Sequence, residues 1–139
     1  MIKIPYPSKY VRKSLYQLIT SLGYACFDSK VPAVDMPSNY VLLSTQNHDV
    51  NESIKCSYLW ESEILLDIVT RHTSIGNTGN RVTVDDMTEN IVNALSTKLI
   101  LDNGLKVIKQ DLTFNNDLTN TYNNQIIHRK LLRVKLLIN

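Results

Sequence analysis

The residues from Ser62 to Leu101 constrain this chain more than any others. SEILLDIVTR is apolar and strand-like, HTSIGNTGNR is rich in turn-forming residues, and DDMTENIVNALSTKLIL is amphipathic with acids at its start. A strand, a turn and a helix in direct succession each carry an apolar face that must be buried against a neighbour. In the strand, Ile64, Leu66 and Ile68 alternate with Glu63, Leu65, Asp67 and Val69. One face is therefore fully apolar and the other mixed, as in a sheet with a partner on its second side. In the helix, Met87, Ile91, Ala94 or Leu95, and Leu99 form the stripe to be buried. Asp86 and Glu89 stand at capping-box spacing, although such a box normally begins with Ser or Thr. Their charge also suits the positive end of the helix dipole, and Asn103-Gly104 is the expected stop.

The rest of the chain supplies partners for this unit. Ser8 is placed to cap a first helix whose stripe is Val11, Leu15, Leu18 and Leu22, with Lys9, Arg12, Lys13 and Gln17 on the other side and Gly23 as its stop. Ile2 to Ile4 reads as a short strand broken by Pro5 and Pro7. Tyr24 to Phe27 and Tyr40 to Thr45 read as strands, with mostly loop over 28–39. Gln46 to Lys55 is polar and loop-like, 56–70 holds the longest strand signal, and Arg71 to Arg81 is a turn region. Leu105 to Phe114 reads as a strand and Asn115 to Gln125 as an exposed loop with a mobile tip. The last segment, IIHRKLLRVKLLIN, fits two periods. Leu132, Val134, Leu136 and Ile138 suit a strand face, whereas Ile127, Leu131, Val134 and Ile138 suit a helix. The strand is preferred because it gives 105–114 an antiparallel partner. The expected fold is a single α+β domain over 1–139, an antiparallel or mixed β-sheet packed by two main α-helices. No repeat or linker divides it.

A chain of 139 residues is long enough for one real core. A net charge of +2 makes no case for nucleic acid, which asks for a concentrated basic face. No apolar run approaches the roughly 20 residues that span a bilayer. MIKIPYPSKY lacks an apolar signal region, so secretion is not expected. Cys26 and Cys56 lie far apart and read as reduced, partly buried thiols.

The sequence offers little for chemistry. His48, His72 and His128 each stand without a second histidine at ligand spacing and read as surface or capping residues. SIGNTGNR lacks the Lys-Ser or Lys-Thr of a phosphate loop, and no GxSxG is present. No enzyme, metal or cofactor is expected. Glu61, Glu63 and Asp67 share one strand face, where a metal-dependent nuclease often carries acids. No Lys follows at the short spacing of a restriction-endonuclease core, so a solvated or subunit-facing surface is the preferred reading. The nuclease reading would predict divalent-metal binding and DNA cleavage lost on Glu63→Ala or Asp67→Ala. His128, Arg129, Lys130, Arg133 and Lys135 form the one local charge bias. On a strand, Arg129, Arg133 and Lys135 line one face, suited to DNA phosphates or an acidic partner. The plainer reading is the polar side of a final strand.

Read end to end, the order is a helix SKYVRKSLYQLITSLG, a proline loop VPAVDMP and a strand YVLLSTQ reaching Gln46. The strand EILLDIVTR, a glycine-containing turn, the helix DDMTENIVNALSTKL and two closing strands at 105–114 and 126–138 follow. This order resembles the tail terminator, or tail-completion, proteins of tailed bacteriophages over nearly the whole chain. The Asn-rich 115–125 segment and the basic last strand depart from common members. The resemblance implies a structural virion protein at the head–tail junction, present in the host cytoplasm during assembly. It implies a homo-oligomeric ring, hexamer or dodecamer, that stops tail-tube growth, joins tail to head, or forms a layer of the neck. Its partners would be further copies of itself, adjacent neck, portal-side or tail proteins, and genomic DNA passing through the lumen without sequence-specific binding. No membrane is involved. Loops 46–56, 71–81 and 115–125 are then the expected contact elements, and Arg129, Arg133 and Lys135 the lumen or interface candidates. Two alternatives stand beside it: another assembly factor, such as a head-completion protein or chaperone, and the small nuclease using Glu61, Glu63 and Asp67.

Overall fold

The computed structural model describes residues 6–32, 36–51, 59–73 and 81–139. The elements run α1 (Ser8–Ser21), β1 (Ala25–Asp28), β2 (Asn39–Asn51), β3 (Leu59–Thr73), α2 (Val82–Ala94), β4 (Val107–Tyr122) and β5 (Gln125–Ile138). The strands form one mixed sheet in the order β1-β2-β3-β5-β4, with β1 parallel to β2 and every other pair antiparallel. The expected α+β class, with two helices on a sheet, is what the chain adopts. Both helices bury their stripes in one cluster with Val41 and Leu43 of β2, Ile64, Leu66 and Ile68 of β3, and Leu132, Val134 and Leu136 of β5. They therefore cover the same face of the sheet.

The two central strands explain this layout. β3 and β5 pair without interruption from Trp60↔Ile138 to Thr73↔Gln125. Leu132, Val134, Leu136 and Ile138 are all within 3% of complete burial, so the strand reading of 126–138 holds. The helix reading fails because it would bury Ile127 and Leu131 beside Val134, whereas a two-residue period turns them to the opposite face.

The 115–125 loop expectation is overturned. β4 continues through it to Tyr122, and only Asn123-Asn124 remain as the turn. Their φ values of 48° and 60° give the left-handed pair of a two-residue hairpin turn, a conformation Asn tolerates well. A register shift between Phe114 and Asp117 absorbs part of the Asn run. Gln46 to Asn51 is likewise strand, paired from Gln46↔Ile64 to Asn51↔Leu59 after an irregularity following Leu43. In both stretches pairing to a long neighbour overrides polar composition.

The helices differ from their expected ends. α2 starts at Val82 with Arg81 at the N-cap and no side-chain cap, so Asp86 lies inside it and the capping-box expectation fails. It stops at Ala94, well before Asn103-Gly104. Gln110 of β4 explains the stop. Its amide donates to the Leu95 and Thr97 carbonyls at 2.6 and 3.0 Å, and its oxygen accepts from the Leu99 N–H at 2.9 Å. Backbone groups left over at the helix end are thereby satisfied. Leu99 is still buried, beyond the helix. In α1 the buried stripe is Val11, Leu15 and Ile19; Leu18 is half-buried and Leu22 is 37% exposed. Four-residue steps keep that stripe over the sheet, whereas Leu18 and Leu22 fall to its flank. Ser8 sits within α1, after an N-cap at Pro7, and its hydroxyl donates to Gln46. Gly23, at φ 90°, does terminate α1. The Ile2–Ile4 strand, Cys56 and most of the SIGNTGNR turn lie outside the described residues.

Leu66→Ala should cost about 2–5 kcal/mol in denaturant titration, because its side chain is fully buried in the core cluster that both helices share with the sheet. Leu22→Ala should change stability by less than ~0.5 kcal/mol.

Candidate assembly interface

The face of the sheet turned away from the helices carries the charged residues singled out above. Across β3 and β5 its rungs read Glu63↔Lys135, Leu65↔Arg133, Asp67↔Leu131 and Val69↔Arg129. Arg129, Arg133 and Lys135 share this face, as strand alternation predicts. Glu61, Glu63 and Asp67 share it too, on the adjoining strand. Alternation within one strand reveals each set, but only the pairing of β3 with β5 brings the two together.

The acids and bases engage diagonally. Arg129 grips Asp67 with a guanidinium fork, Nη2 to Oδ2 at 2.6 Å and Nε to both oxygens at 3.2 Å. The Asp67 side chain is only 8% exposed, so its charge depends on that fork. The hydrogen bond to Asp67 in turn raises the Arg129 pKa above its ordinary value. Arg133 Nη1 meets Glu63 Oε1 at 2.9 Å in a more exposed pair. Lys135 borders an open recess of about 400 Å³ together with Glu61, Glu63, Lys109, Asp111 and Leu137. Lys109 and Asp111 are themselves 3.5 Å apart. Half-buried Leu65, Leu131 and Leu137 lie among these charges.

This arrangement can do some things and not others. Interleaved opposite charges give a weak net field, unlike the concentrated positive surface that holds phosphates. Arginine, one of these residues, is enriched at protein–protein contacts. Two of the three acids of the nuclease reading, Glu63 and Asp67, are engaged by guanidinium groups. Among the described residues no three His, Cys, Asp or Glu side chains converge to hold a metal ion. No described helix is long and apolar enough to cross a membrane.

Two clusters on the helix-covered face were not legible in sequence. His72 and His128, expected to stand alone, meet edge-to-face with centroids 5.7 Å apart. His128 is 5% exposed, its Nδ1 is 3.1 Å from Thr119 Oγ1, and the Nε2 atoms of both rings lack hydrogen-bond partners among the described residues. Ion pairs at the start of α2 surround them: Arg81 to Asp117 at 2.8 Å and Lys130 to Asp85 at 2.7 Å. Burial lowers the His128 pKa, with Arg81 and His72 adding to the shift and Asp85 opposing it. The second cluster centres on Arg12, assigned to the solvent side of α1. It reaches Gln46, Asp28 and the Leu43 and Ser44 carbonyls, tying α1 to the end of β1 and the middle of β2. Nearby Cys26 is buried, and desolvation, aided by Asp28, pushes its thiol up to about 12, consistent with an inert reduced cysteine.

Arg129→Ala should destabilise by about 2–3 kcal/mol, because it strands a buried carboxylate; the partial exposure of Arg129 keeps this below a fully buried pair. Arg133→Ala should cost less than ~1 kcal/mol. For His128 the folded pKa lies below the unfolded value, so the unfolded state binds more protons between the two. Its contribution is complete above the unfolded pKa of ~6.5 and is lost as pH falls through the folded pKa. The melting temperature should drop on acidification below about pH 6.5, and His128→Gln should flatten that slope.

Among solved structures, the chain is similar to one in the virion of a native gene transfer agent (GTA) particle. The two are 16% identical, the match covers 94% of this chain and 96% of that one, and the TM-score is 0.61. The fold is therefore shared over nearly the full length of both chains. No protein-family model and no curated protein sequence matches this chain.

Proposed function

We propose that this protein is a structural component of a phage-like virion. In this reading it forms a homo-oligomeric ring at the head–tail junction that terminates or joins the tail, with DNA passing through the lumen. The observation that supports it best is the fold shared from end to end with a chain of a gene transfer agent virion. The order of elements, read independently from the sequence, resembles tail terminators and points the same way. The mechanism is geometric. A contact between two different surfaces of identical subunits, repeated about an axis, closes when the rotation divides a full turn. The ion-paired face supports a protein-facing role for Arg129, Arg133 and Lys135, because guanidinium groups already committed to Asp67 and Glu63 have little charge left for phosphates. The recess beside Lys135 gives a neighbouring subunit or ring a place to seat.

Light scattering coupled to size exclusion over a concentration series tests this. The mass should grow from 15.9 kDa to a discrete hexamer or dodecamer. Lys135→Ser leaves both Arg pairs intact and should raise the concentration of half-assembly about tenfold, equivalent to ~1.4 kcal/mol. An unchanged midpoint would remove Lys135 from the interface. Persistence of the monomer at every concentration, and in mixtures with tails or heads, would sink the ring reading.

A further inference from the structure

We propose that copies of this protein join edge to edge, with β4 of one subunit pairing antiparallel to β2 of the next, so that one sheet runs on through the assembly. The inference rests on the ring reading and names the contact that would build it. Three observations carry it.

The first is that both edges present strand. β4 is a sixteen-residue strand at one edge of the sheet. At the other edge, β1 pairs only with Tyr40–Leu43 of β2, and Arg12 covers the Leu43 and Ser44 carbonyls just below. From Gln46 to Asn51, no described strand pairs with the outer side of β2. A strand edge left with free N–H and C=O groups is a template for another chain.

Direction and height are the second observation. Successive antiparallel pairings through β3 and β5 make β4 run opposite to β2. Tracing the rungs across the sheet, Lys109 lies level with Asp49, Gln110 with His48, Asp111 with Asn47 and Leu112 with Gln46. None of these four rungs contains a register shift, although β4 is irregular before Lys109 and after Phe114. Rotation about an axis along the strands keeps every rung at its height. The two regular stretches would then meet in register as an antiparallel pair.

The third observation is the residue pattern on those rungs. Lys109, an exposed cation, comes opposite the position of Asp49, and no rung sets like charges against each other. Ile108 and Phe114, 44% and 59% exposed, flank the stretch on β4 and would lose water on pairing. Because the contact joins two different edges, it is head-to-tail, the type that generates a ring.

The test is a cysteine pair. In a Cys26→Ala, Cys56→Ala background, Lys109→Cys is combined with Asp49→Cys. Within one subunit these positions lie three strand spacings apart, about 14 Å, too far for a disulfide. Oxidation at assembling concentration should give a ladder of covalent multimers on non-reducing gels. Either cysteine alone should give no species beyond a dimer. Circular dichroism melts matched to the Cys-free parent confirm that the variants fold. A discrete multimer by light scattering with no ladder would overturn the edge-to-edge contact while leaving the ring intact. A mass fixed at the monomer, with no ladder, would overturn both.

Discussion

The structure depends on the uninterrupted antiparallel pairing of β3 with β5. Each strand alternates a row that is apolar at its centre with a mixed row, and their register decides where both rows go. One row, from Ile64 and Leu66 to Leu132 and Val134, becomes the floor on which the helices sit. The other becomes a ladder of diagonal ion pairs. A slip of one residue in β5 would drive Arg129, Arg133 and Lys135 under the helices and expose four core side chains. The Asp67–Arg129 fork opposes such a slip, because a nearly buried carboxylate finds its cation only in this register.

The same constraint shapes the periphery. The length of β3 and β5 lets β2 and β4 persist as strands through polar sequence, and that persistence turns two expected loops into strand. Side chains then seal the backbone ends this creates: Gln110 closes the end of α2 and Arg12 caps β2 where β1 stops. The helix-covered face turns polar at the start of α2, where two imidazoles pack among four ion-paired residues. Stability at that end is sensitive to protons in a way the aliphatic centre is not.

Much of this was legible in the residues, and the failures have physical causes. Alternation in SEILLDIVTR identified β3, whereas the last segment fits two periods and reads as a strand, with Arg129, Arg133 and Lys135 on one face, because 105–114 needs an antiparallel partner. Gly23 announced the end of α1. Composition misled at Asn115–Tyr122 and Gln46–Asn51, where a long neighbour's hydrogen bonds outweigh weak strand propensity. Helix periodicity misled at Leu99, whose apolar spacing continues although Gln110 has already ended α2. The pairing of acids on β3 with bases on β5, and the meeting of His72 with His128, depend on which strands become neighbours. Local sequence carries no mark of that choice.

A sheet with helices on one side, a charge-compensated face on the other and two strand edges of opposite direction has the elements that the proposed ring would use. The fold itself is shared over nearly its full length with a chain of a gene transfer agent virion. Electron microscopy of the protein at assembling concentration tests the proposed ring most directly. The account predicts closed annular particles of one rotational symmetry with an open centre wide enough for duplex DNA. Open filaments, irregular aggregates or a field of isolated 15.9 kDa particles would contradict it.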